Sequence, residues 1–587
     1  MFKLFKKPGK KQLVYALICV TFISLNVYLE LKIPDYMSEI TVLVQTEGSK
    51  MIDILKEGGY MLLCAFGSLI ASVVVGYFAS RVAAYFGKIT RKSVFEKVGK
   101  FSTEEINKFS TSSLITRTTN DVTQVQMLIA MGLQAMIKAP IMATWAIIKI
   151  SGKNSSWSIA TAVGVVILLI TISIIMSLVF PKFKLVQKLT DNLNRITREN
   201  LTGIRVIRAF NAEGYQQKKF ENANEELKNL QLFNQKTMGF LSPVMSLVSS
   251  GLSLAIYFIG AILINEANML DKLTLFGDMV VFSSYAMQVI MSFMILIMIF
   301  IMFPRASISA KRILEVLETN EKITDGDILE GKEKGTVEFK NVSFKYPDAE
   351  EYMLKNISFK ANKGETIAFI GSTGSGKSTL INLVPRFYDA TEGEVLVDGV
   401  NVKDYKIEAL NNIIGYVPQK AVMFSGTVNE NVSYGNNAKG KPSQEKIKEA
   451  VKVAQGVDFV EKMENQYDAM IARGGTNISG GQKQRLAIAR AIARDPEIYI
   501  FDDSFSALDY KTDFILRKEL KKYTKDATSL IVAQRVGTIK EADKIFVLDE
   551  GNLVGAGTHK ELLKSCEIYR EIALSQLGEE ELENESR

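Results

Sequence analysis

Residues 364–388, GETIAFIGSTGSGKSTLINLVPRFY, decide the fold of the C-terminal half of this chain. A short apolar strand, ETIAFI, runs into a glycine-rich turn that leads directly into a helix, KSTLINLVPRFY. The turn matches G-x-x-x-x-G-K-[ST], and a preceding strand and a following helix are the context that this motif requires. The stretch therefore predicts a phosphate-binding loop.

The residue types in this loop suit a nucleoside triphosphate. Backbone N–H groups wrap the phosphates, Lys377 reaches the β- and γ-phosphates, and Ser378 ligates Mg²⁺. The candidate nucleotide-binding residues are Gly371, Ser372, Thr373, Gly374, Ser375, Gly376, Lys377, Ser378 and Thr379.

The sequence around the loop alternates short β-branched runs with helical segments, from VEFKNVSF at 337–344 to KIFVLDEG at 544–551. This pattern predicts an α/β domain with a parallel sheet over residues 336–587. The strand IYIFDD ends in two acids, and the first of them, Asp502, is a candidate Mg²⁺ ligand. A helix that starts Ser479-Gly480-Gly481-Gln482 offers a hydroxyl and exposed N–H groups, which predicts a second anion site.

The N-terminal half has a different character. Residues 157–180, 239–265 and 279–304 are each longer than 20 residues and carry no charge, which excludes a purely soluble protein. Windows of about 20 residues predict six membrane spans, at 13–33, 58–86, 125–149, 157–182, 239–265 and 277–304. We expect a six-span domain over 1–310 and a polar linker over 311–335, which begins with a short amphipathic helix.

Charge sets the expected orientation of these spans. Five lysines precede the first span, whereas the connection after it is mainly acidic. An even number of spans then places both termini in the cytoplasm of a multi-pass protein of the cell membrane. The long connections 88–124 and 183–238 fall on the same side. Their composition favours helical stalks below the membrane, and mobile loops are the alternative.

The overall composition excludes several other classes of site. Three cysteines, Cys19, Cys64 and Cys566, cannot build a disulfide framework or a metal-ligand cluster. The net charge of +7 comes from basic residues that flank apolar runs, so it indicates a lipid bilayer as partner and no nucleic acid. The single histidine, His559, lies in GAGTHKELL, and we expect it at the surface and outside the site.

With these motifs in series, the chain resembles the ABC transporter family over nearly its full length. The resemblance is to exporters in which one polypeptide fuses six spans to one nucleotide-binding domain. It implies an all-α six-helix transmembrane domain with long cytoplasmic helical extensions, then an α/β P-loop ATPase domain with a RecA-like core and a helical subdomain. It also implies that ATP and Mg²⁺ are the cofactors, and that two nucleotide domains sandwich two ATP molecules between one chain's P-loop and the other chain's signature.

The resemblance assigns further residues by their motifs. Tyr346 matches the aromatic residue that stacks on adenine, and Gln419, in Val-Pro-Gln, matches the glutamine that contacts Mg²⁺. Residues Ser479, Gly480, Gly481 and Gln482 match the signature that acts on the partner's ATP. The predicted metal ligands are thus Ser378, Gln419 and Asp502.

Departures from the family pattern fall on the catalytic positions. Asp503 stands where the family places a catalytic glutamate, and Gln534 stands where it places the switch histidine. The Asp side chain is one methylene shorter than Glu, which withdraws its carboxylate from the attacking water. Gln cannot carry a proton or a positive charge toward the γ-phosphate. Loss of a positioned base costs about 10²- to 10⁴-fold in rate. Before the signature, Arg473 reverses the charge of the family's usual glutamate.

An intact P-loop and signature beside altered catalytic positions favour one half of a heterodimeric, multidrug-type exporter. The partner is then a second half-transporter that supplies the catalytic Glu and the switch His. A homodimeric lipid or peptide translocase, and an ATP-gated regulator or channel, remain alternatives.

The cores of the last three spans, 157–180, 239–265 and 279–304, carry no acids or bases, which favours an apolar or amphipathic substrate. Methionines 287, 291, 294, 298 and 302 form a stripe on the sixth span. That stripe lines the transport path or packs against lipid or partner.

Overall fold

Helices account for nearly all of the first 318 residues in the computed structural model, which describes residues 10–46, 48–151, 155–435 and 439–577. In chain order they are α1 Lys10–Gln45, α2 Met51–Val98, α3 Thr103–Phe109, α4 Thr111–Thr118, α5 Asn120–Ser151, α6 Ser155–Thr202, α7 Ile204–Ala209, α8 Glu213–Gly239, α9 Leu241–Glu266 and α10 Met269–Glu318. The structure divides into two units. The first comprises the chain up to Gly99 and Ser112–Thr319, and the second comprises Lys100–Thr111 and the chain from Asn320.

Six helical stretches among the described residues are long and apolar enough to cross a membrane, as the sequence predicts. They are Lys10–Gln45, Met51–Val98, Thr111–Ser151, Ser155–Thr202, Glu213–Glu266 and Asp271–Glu318. At 1.5 Å per residue, the 48 residues of α2 extend roughly 70 Å, about twice the hydrocarbon thickness of a bilayer. The helical extensions are therefore confirmed, and the alternative of mobile loops is wrong.

The core of the first unit lies where apolar faces of the spans meet. Trp157 at the start of α6 is fully buried and donates its indole N–H to the Ile256 carbonyl of α9 over 3.1 Å. Its ring packs 5.4 Å from Phe282 of α10. Other large apolar side chains, such as Leu62 and Phe258, are exposed on the outer faces of their helices, as expected of spans that meet lipid.

Helix α10 continues without a break to Glu318, so the short helix expected after the sixth span is the end of that span's own helix. Arg117 of α4 holds this end, since its guanidinium donates to the Arg312 carbonyl over 2.6 Å and pairs with Glu315 at 2.9 Å. The predicted domain limits at 310 and 336 remain predictions.

Within the part of the second unit that the structure describes, the strands form three sheets. Its strands are β1 Val337–Phe344, β2 Leu354–Ala361, β3 Thr366–Gly371, β4 Glu392–Val397, β5 Val400–Asn401, β6 Ile414–Val417, β7 Gly426–Thr427, β8 Met470–Ile471, β9 Ile498–Asp502, β10 Thr528–Val532, β11 Lys544–Asp549 and β12 Asn552–Gly557. The largest sheet has the order β12-β11-β3-β10-β9-β6, and all its pairs are parallel except β11 with β12. An antiparallel sheet, β2-β1-β4-β5, and the pair β7-β8 complete the set.

Helices flank these sheets. They are α11 Lys377–Asn382, α12 Ile407–Asn412, α13 Val428–Val432, α14 Gln444–Val453, α15 Val457–Val460, α16 Gly480–Arg494, α17 Tyr510–Tyr523, α18 Val536–Ile539, α19 His559–Ser565 and α20 Glu567–Gln576. Helices α13 to α16 share a hydrophobic cluster with one face of the parallel sheet, which includes Tyr499 and Phe501 of β9. The predicted α/β domain with a parallel sheet is confirmed, and β10 lies between β3 and β9.

The expectation of a surface position for His559 is wrong. The residue begins α19, is only 7% exposed, and its Nδ1 lies 2.6 Å from the Tyr569 hydroxyl of α20. The pair fixes α19 against α20, which gives this histidine a packing role.

Candidate functional site

Three neighbouring strand ends define the site. Because β3, β10 and β9 are adjacent and parallel, their carboxyl ends meet at one edge of the sheet. The glycine-rich loop follows β3, Asp502 ends β9 with Asp503 directly after it, and Gln534 follows β10. The fold thus brings three separately predicted motifs together.

The loop after β3 needs glycine where it passes close to other backbone. Gly376 has a φ of +98°, and a Cβ there would lie 2.9 Å from the Met353 carbonyl. A Cβ on Gly371 would lie 2.0 Å from the Leu548 carbonyl. Any larger residue at these positions would push the loop out of shape, so the two glycines of the motif set its path.

Lys377 lies inside this loop. Its ammonium donates to the carbonyls of Gly371 and Ser372 over 2.9 and 2.7 Å, and lies 3.3 Å from the Ser375 hydroxyl. Burial lowers the pKa of Lys377, an effect that the nearby acids Asp502 and Asp503 oppose. The loop therefore holds a cation among its own carbonyls, at the place where the motif predicts phosphate.

The residues present suit Mg²⁺. Ser378 donates its hydroxyl to Asp502 over 2.7 Å, so two hard oxygen ligands lie side by side. Burial raises the pKa of Asp502, and the hydrogen bond from Ser378 counteracts this shift. Among the described residues no group of three His, Cys, Asp or Glu side chains is placed to hold a metal. One hydroxyl and one carboxylate are nevertheless what Mg²⁺ uses when water and substrate phosphates complete its shell.

Asp503 accepts hydrogen bonds from both glutamines of the site. Its Oδ2 lies 2.9 Å from Nε2 of Gln534 and 3.3 Å from Nε2 of Gln419. Burial raises the pKa of Asp503, and the bonds from Gln419 and Ser506 oppose the shift. The backbone here has a φ of +44°, and Asp503 N–H donates to the Val532 carbonyl of β10. The carboxylate is thus held from two directions.

Gln576 of α20, which the sequence analysis did not single out, fixes the segment that carries Gln534. Its side chain donates to the Gln534 carbonyl and accepts from the Val536 N–H, each over 2.8 Å. A glutamine near the end of a helix carries no sequence signal for such a role, because the contact depends on how α20 packs beside β10.

Tyr346 lies beside the end of the loop. Its hydroxyl is 2.9 Å from the Thr379 hydroxyl, and its ring packs edge-on against Tyr388, with centroids 5.5 Å apart. The edge-on packing of Tyr388 thus supports the ring of Tyr346.

The signature residues Ser479 and Gln482 cap the N-terminus of α16. Ser479 precedes α16, its Oγ accepts from the Gln482 N–H over 3.3 Å, and the Gln482 side chain accepts from the Ser479 N–H over 2.8 Å. A Cβ on Gly480 would meet nothing within 4 Å. Ser479 and Gly480 are exposed, so this helix start is open to a ligand brought from outside the chain.

The segment before the signature is a tight turn. Gly474 and Gly475 both have φ near +65°, and the Gly475 N–H donates to the Ala472 carbonyl over 2.7 Å. Arg473 lies at the surface of this turn. The positive charge of Arg473, which stands where the family usually has a glutamate, is therefore exposed to solvent.

Comparisons with known proteins agree with this architecture. The family model for the ABC transporter matches residues 354–506, and the model for the ABC transporter transmembrane region matches residues 17–315. This chain belongs to the ABC transporter family. It is a half-transporter, with one membrane region fused to one ATP-binding domain, and its work is ATP-driven transport.

Relatives of this ABC transporter include uncharacterised ABC transporter ATP-binding proteins. One from Mycobacterium tuberculosis is 39% identical over 527 residues, 88% of this chain and 87% of the relative. One from Bacillus subtilis is 37% identical over 513 residues, 87% of this chain and 88% of the relative. An ATP-dependent lipid A-core flippase of Pseudomonas aeruginosa is 31% identical over 524 residues, 89% of this chain and 85% of the flippase.

The fold of this transporter matches that of a bacterial Atm1-family ABC exporter solved with ATP bound. The TM-score is 0.82 at 23% sequence identity, over 97% of this chain and all of the other. The two proteins therefore share a fold, in which a helical six-span membrane domain is followed by an ATPase domain.

Proposed function

We propose that this half-transporter exports an apolar or amphipathic substrate as one half of a heterodimer, in which ATP is hydrolysed mainly at the site completed by its partner's P-loop. The observation that carries this is the contact of Gln534 with Asp503 at 2.9 Å. In the role of catalytic base, Asp503 has a shorter reach than glutamate, and its Oδ2 accepts hydrogen bonds from Gln534 and Gln419. A carboxamide neither gains nor loses a net proton near neutral pH, so Gln534 holds the acid without relaying charge.

In this proposal the chain's own loop binds ATP. Lys377 would contact the β- and γ-phosphates, Tyr346 would stack on adenine, and Ser378, Asp502 and Gln419 would hold Mg²⁺. When bound, Mg²⁺ neutralises charge on the phosphates. The exposed start of α16 at Ser479 then contributes its hydroxyl and N–H groups to ATP held by the partner. The partner is a second half-transporter with Glu and His at the two altered positions.

Steady-state ATPase in nanodiscs tests this proposal. The chain alone is expected to bind labelled ATP and turn it over slowly, and addition of the partner chain restores turnover. The double variant of the partner's own Glu and His removes that gain. Turnover by the lone chain on the order of 10 s⁻¹, the median for enzymes, contradicts impaired hydrolysis at this loop.

A second candidate is a lipid translocase that works as a homodimer. It is favoured by the 31% identity to a protein named as a lipid A-core flippase. Turnover by the lone chain, stimulated by lipid, is the result that distinguishes it from the heterodimer.

The orientation with both termini in the cytoplasm belongs to the same proposal. It is supported by the lysines that precede α1 and by the even number of candidate spans. In a chain freed of its own cysteines, Lys50→Cys between α1 and α2 is expected to react with an impermeant reagent added to intact cells. Glu221→Cys on α8 is the matched control and is expected to react only after lysis.

A further inference from the structure

Ionisable side chains lie inside two of the membrane-spanning helices. Glu30 of α1 accepts from the Lys138 ammonium of α5 over 2.8 Å. Lys138 is 13 residues from the end of α5, which at 1.5 Å per residue places it roughly 20 Å from that end. Since Lys138 also falls near the middle of the predicted span 125–149, its ammonium lies within a hydrocarbon layer about 30 Å thick. Charges at that depth are costly, and they usually mark a site that uses them.

Neighbouring polar groups hold Glu30 on the side away from α5. The hydroxyl of Ser68 on α2 lies 3.4 Å from the same carboxylate oxygen that Lys138 contacts. Asn26 in turn donates to the carbonyl and the hydroxyl of Ser68, each over 2.9 Å. The acid is thus anchored between α1 and α2, and Lys138 reaches it from α5.

A cavity of about 220 Å³ lies between α5 and α10, and Lys138 lines it. Its other walls are mostly apolar, with Leu128 and Met131 from α5 and Ile295, Ile299 and Met302 from α10. Among the described residues that line this cavity, Lys138 is the only charged one, and Gln134 adds an amide. Glu30 is not part of the lining, so a molecule in the cavity meets the cation and not its partner.

The chemistry of this cavity selects an anion with a hydrocarbon part. An ammonium group has three N–H donors, and Lys138 uses one of them in its hydrogen bond to Glu30. The volume is below the 300 Å³ at which pockets for whole drug-sized molecules begin, so the cavity suits one part of a larger molecule.

We propose that the α5–α10 cavity is a subsite for the acidic headgroup of a phospholipid-like amphiphile, bound by Lys138 with Glu30 as its fixed counter-charge. This inference rests on the proposed function in so far as it names the class of amphipathic substrate. It also gives the methionine stripe of α10 a local role, since Met302 forms part of the apolar wall.

Binding of a labelled lipid tests the subsite without ATP hydrolysis. The purified transporter is placed in phosphatidylcholine nanodiscs and titrated with pyrene-labelled phosphatidic acid. Energy transfer from the two tryptophans reports binding, since Trp145 and Trp157 both lie in the membrane unit and Trp145 is two turns from Lys138 on α5. We expect saturable binding that pyrene-labelled phosphatidylcholine does not show.

The variants separate charge from folding. Lys138→Gln leaves Glu30 unpaired, so the double variant Glu30→Gln/Lys138→Gln removes both charges and keeps the side-chain volumes. Both variants are expected to weaken binding at least tenfold, whereas Lys138→Arg retains it. Lys149→Gln is the matched control on the same helix, because Lys149 pairs with Asp35 and does not line the cavity.

Two outcomes overturn the subsite. One is wild-type affinity in the double variant, and the other is equal binding of the zwitterionic and anionic probes. A cationic amphiphile that competes for binding points to a different substrate class and also contradicts it. Labelled ATP binding to the same samples shows that the nucleotide domain is folded. Because no ATPase is measured, failure here leaves the heterodimer proposal to its own test.

Discussion

The side-chain amide of Gln534 lies 2.9 Å from the Asp503 carboxylate, across the ends of the neighbouring strands β10 and β9. The two residues that depart from the family's catalytic pattern therefore contact each other. Each is also held independently, Asp503 by Gln419 and Gln534 by Gln576. The altered positions form one connected arrangement.

Restoring both residues is expected to create hydrolysis at this loop. Asp503→Glu extends the carboxylate toward the attacking water, and Gln534→His supplies a group that carries positive charge. The double variant is measured beside a partner whose own catalytic Glu has been removed, so that this site is the sole source of turnover. We expect a rise in ATPase of 10²-fold or more, within the usual range for a positioned base.

Each single variant serves as the control for the double. Asp503→Glu alone retains the Gln534 amide, and we expect little turnover from it. If ATP is bound and the domains are closed, yet the double variant remains silent, then Asp503 and Gln534 do not limit this site.

Ser479→Arg is expected to abolish most ATPase of the heterodimer while ATP binding by this chain is retained. The exposed hydroxyl and N–H groups at this helix start stabilise developing charge on the partner's ATP, an effect worth several kcal/mol. The matched control is Ser443→Arg. Ser443 caps α14 in the same manner, with its hydroxyl accepting from the Lys446 N–H. Survival of activity in the Ser479 variant shows that the working site does not use this signature.

Lys377→Ala is expected to weaken ATP binding at this chain's loop by tenfold or more and to leave part of the partner's hydrolysis. The ammonium lies within the loop, bonded to its carbonyls, so its removal takes away the local cation. Photolabelling with an azido-ATP analogue, followed by separation of the two chains, counts nucleotide on each. Lys406→Ala, an exposed lysine of the same unit, is the control. Full labelling of this chain in the Lys377 variant contradicts the assignment.

Substitution of Tyr388 tests whether its ring supports Tyr346, the residue proposed to stack on adenine. Tyr388→Leu removes the ring that packs against Tyr346, and such aromatic pairs contribute about 0.5–1.5 kcal/mol. We expect ATP affinity to fall about two- to tenfold, as measured by fluorescent ATP-analogue binding. Tyr388→Phe keeps the ring and loses only the hydroxyl, so it is expected to bind as the wild type does. Equal affinity in both variants excludes a supporting role for the ring.

Asp398 predicts a pH dependence of stability. It is buried, its Oδ1 accepts from the Gly335 N–H over 2.7 Å, and burial raises its pKa from 3.8 to about 6. Between these values the folded state holds a proton that the unfolded state has lost, so stability falls as pH rises from 4 to 6 and stays lower above 6. The whole shift corresponds to at most about 3 kcal/mol.

Asp398→Asn retains the acceptor for Gly335 and removes this titration. We expect it to stabilise the second unit at pH 7 by roughly 1–3 kcal/mol and to have no effect below pH 4. Pulse proteolysis of the full chain, read by mass spectrometry of peptides from 336–577, measures this unit separately from the spans. Asp526→Asn, at an exposed acid, is the control. Equal stabilisation at pH 4 and pH 7 disproves the raised pKa.

Much of this architecture could be predicted because it depends on local pattern. The loop at 371–378 is set by its glycines and flanking elements, and the six spans are set by runs without charge. The contact of Gln534 with Asp503 could not be predicted, since it requires β10 to lie between β3 and β9. The buried position of His559 likewise depends on how α20 packs.

The pair Glu30–Lys138 was missed although a signal for it existed. Both residues fall inside the predicted spans 13–33 and 125–149, where any charge is unusual. The charge-free cores 157–180, 239–265 and 279–304 stand out in the sequence, whereas a single acid or base within a span does not. What the sequence could not show is that the two charges meet, because that depends on the packing of α1 against α5.

The position of helix α3 in the sequence separates its synthesis from that of the residues it packs against. It belongs to the second unit, where Glu105 accepts from the Lys322 N–H over 3.2 Å, yet residues 112–319 lie between it and the rest of that unit. At 5–20 residues per second, a ribosome needs roughly 10 to 40 s to synthesise that interval. During this time α3 must persist without its partners. Its capping box, in which the Ser102 N–H donates to Glu105 over 2.7 Å, is built from its own residues and forms as soon as they emerge.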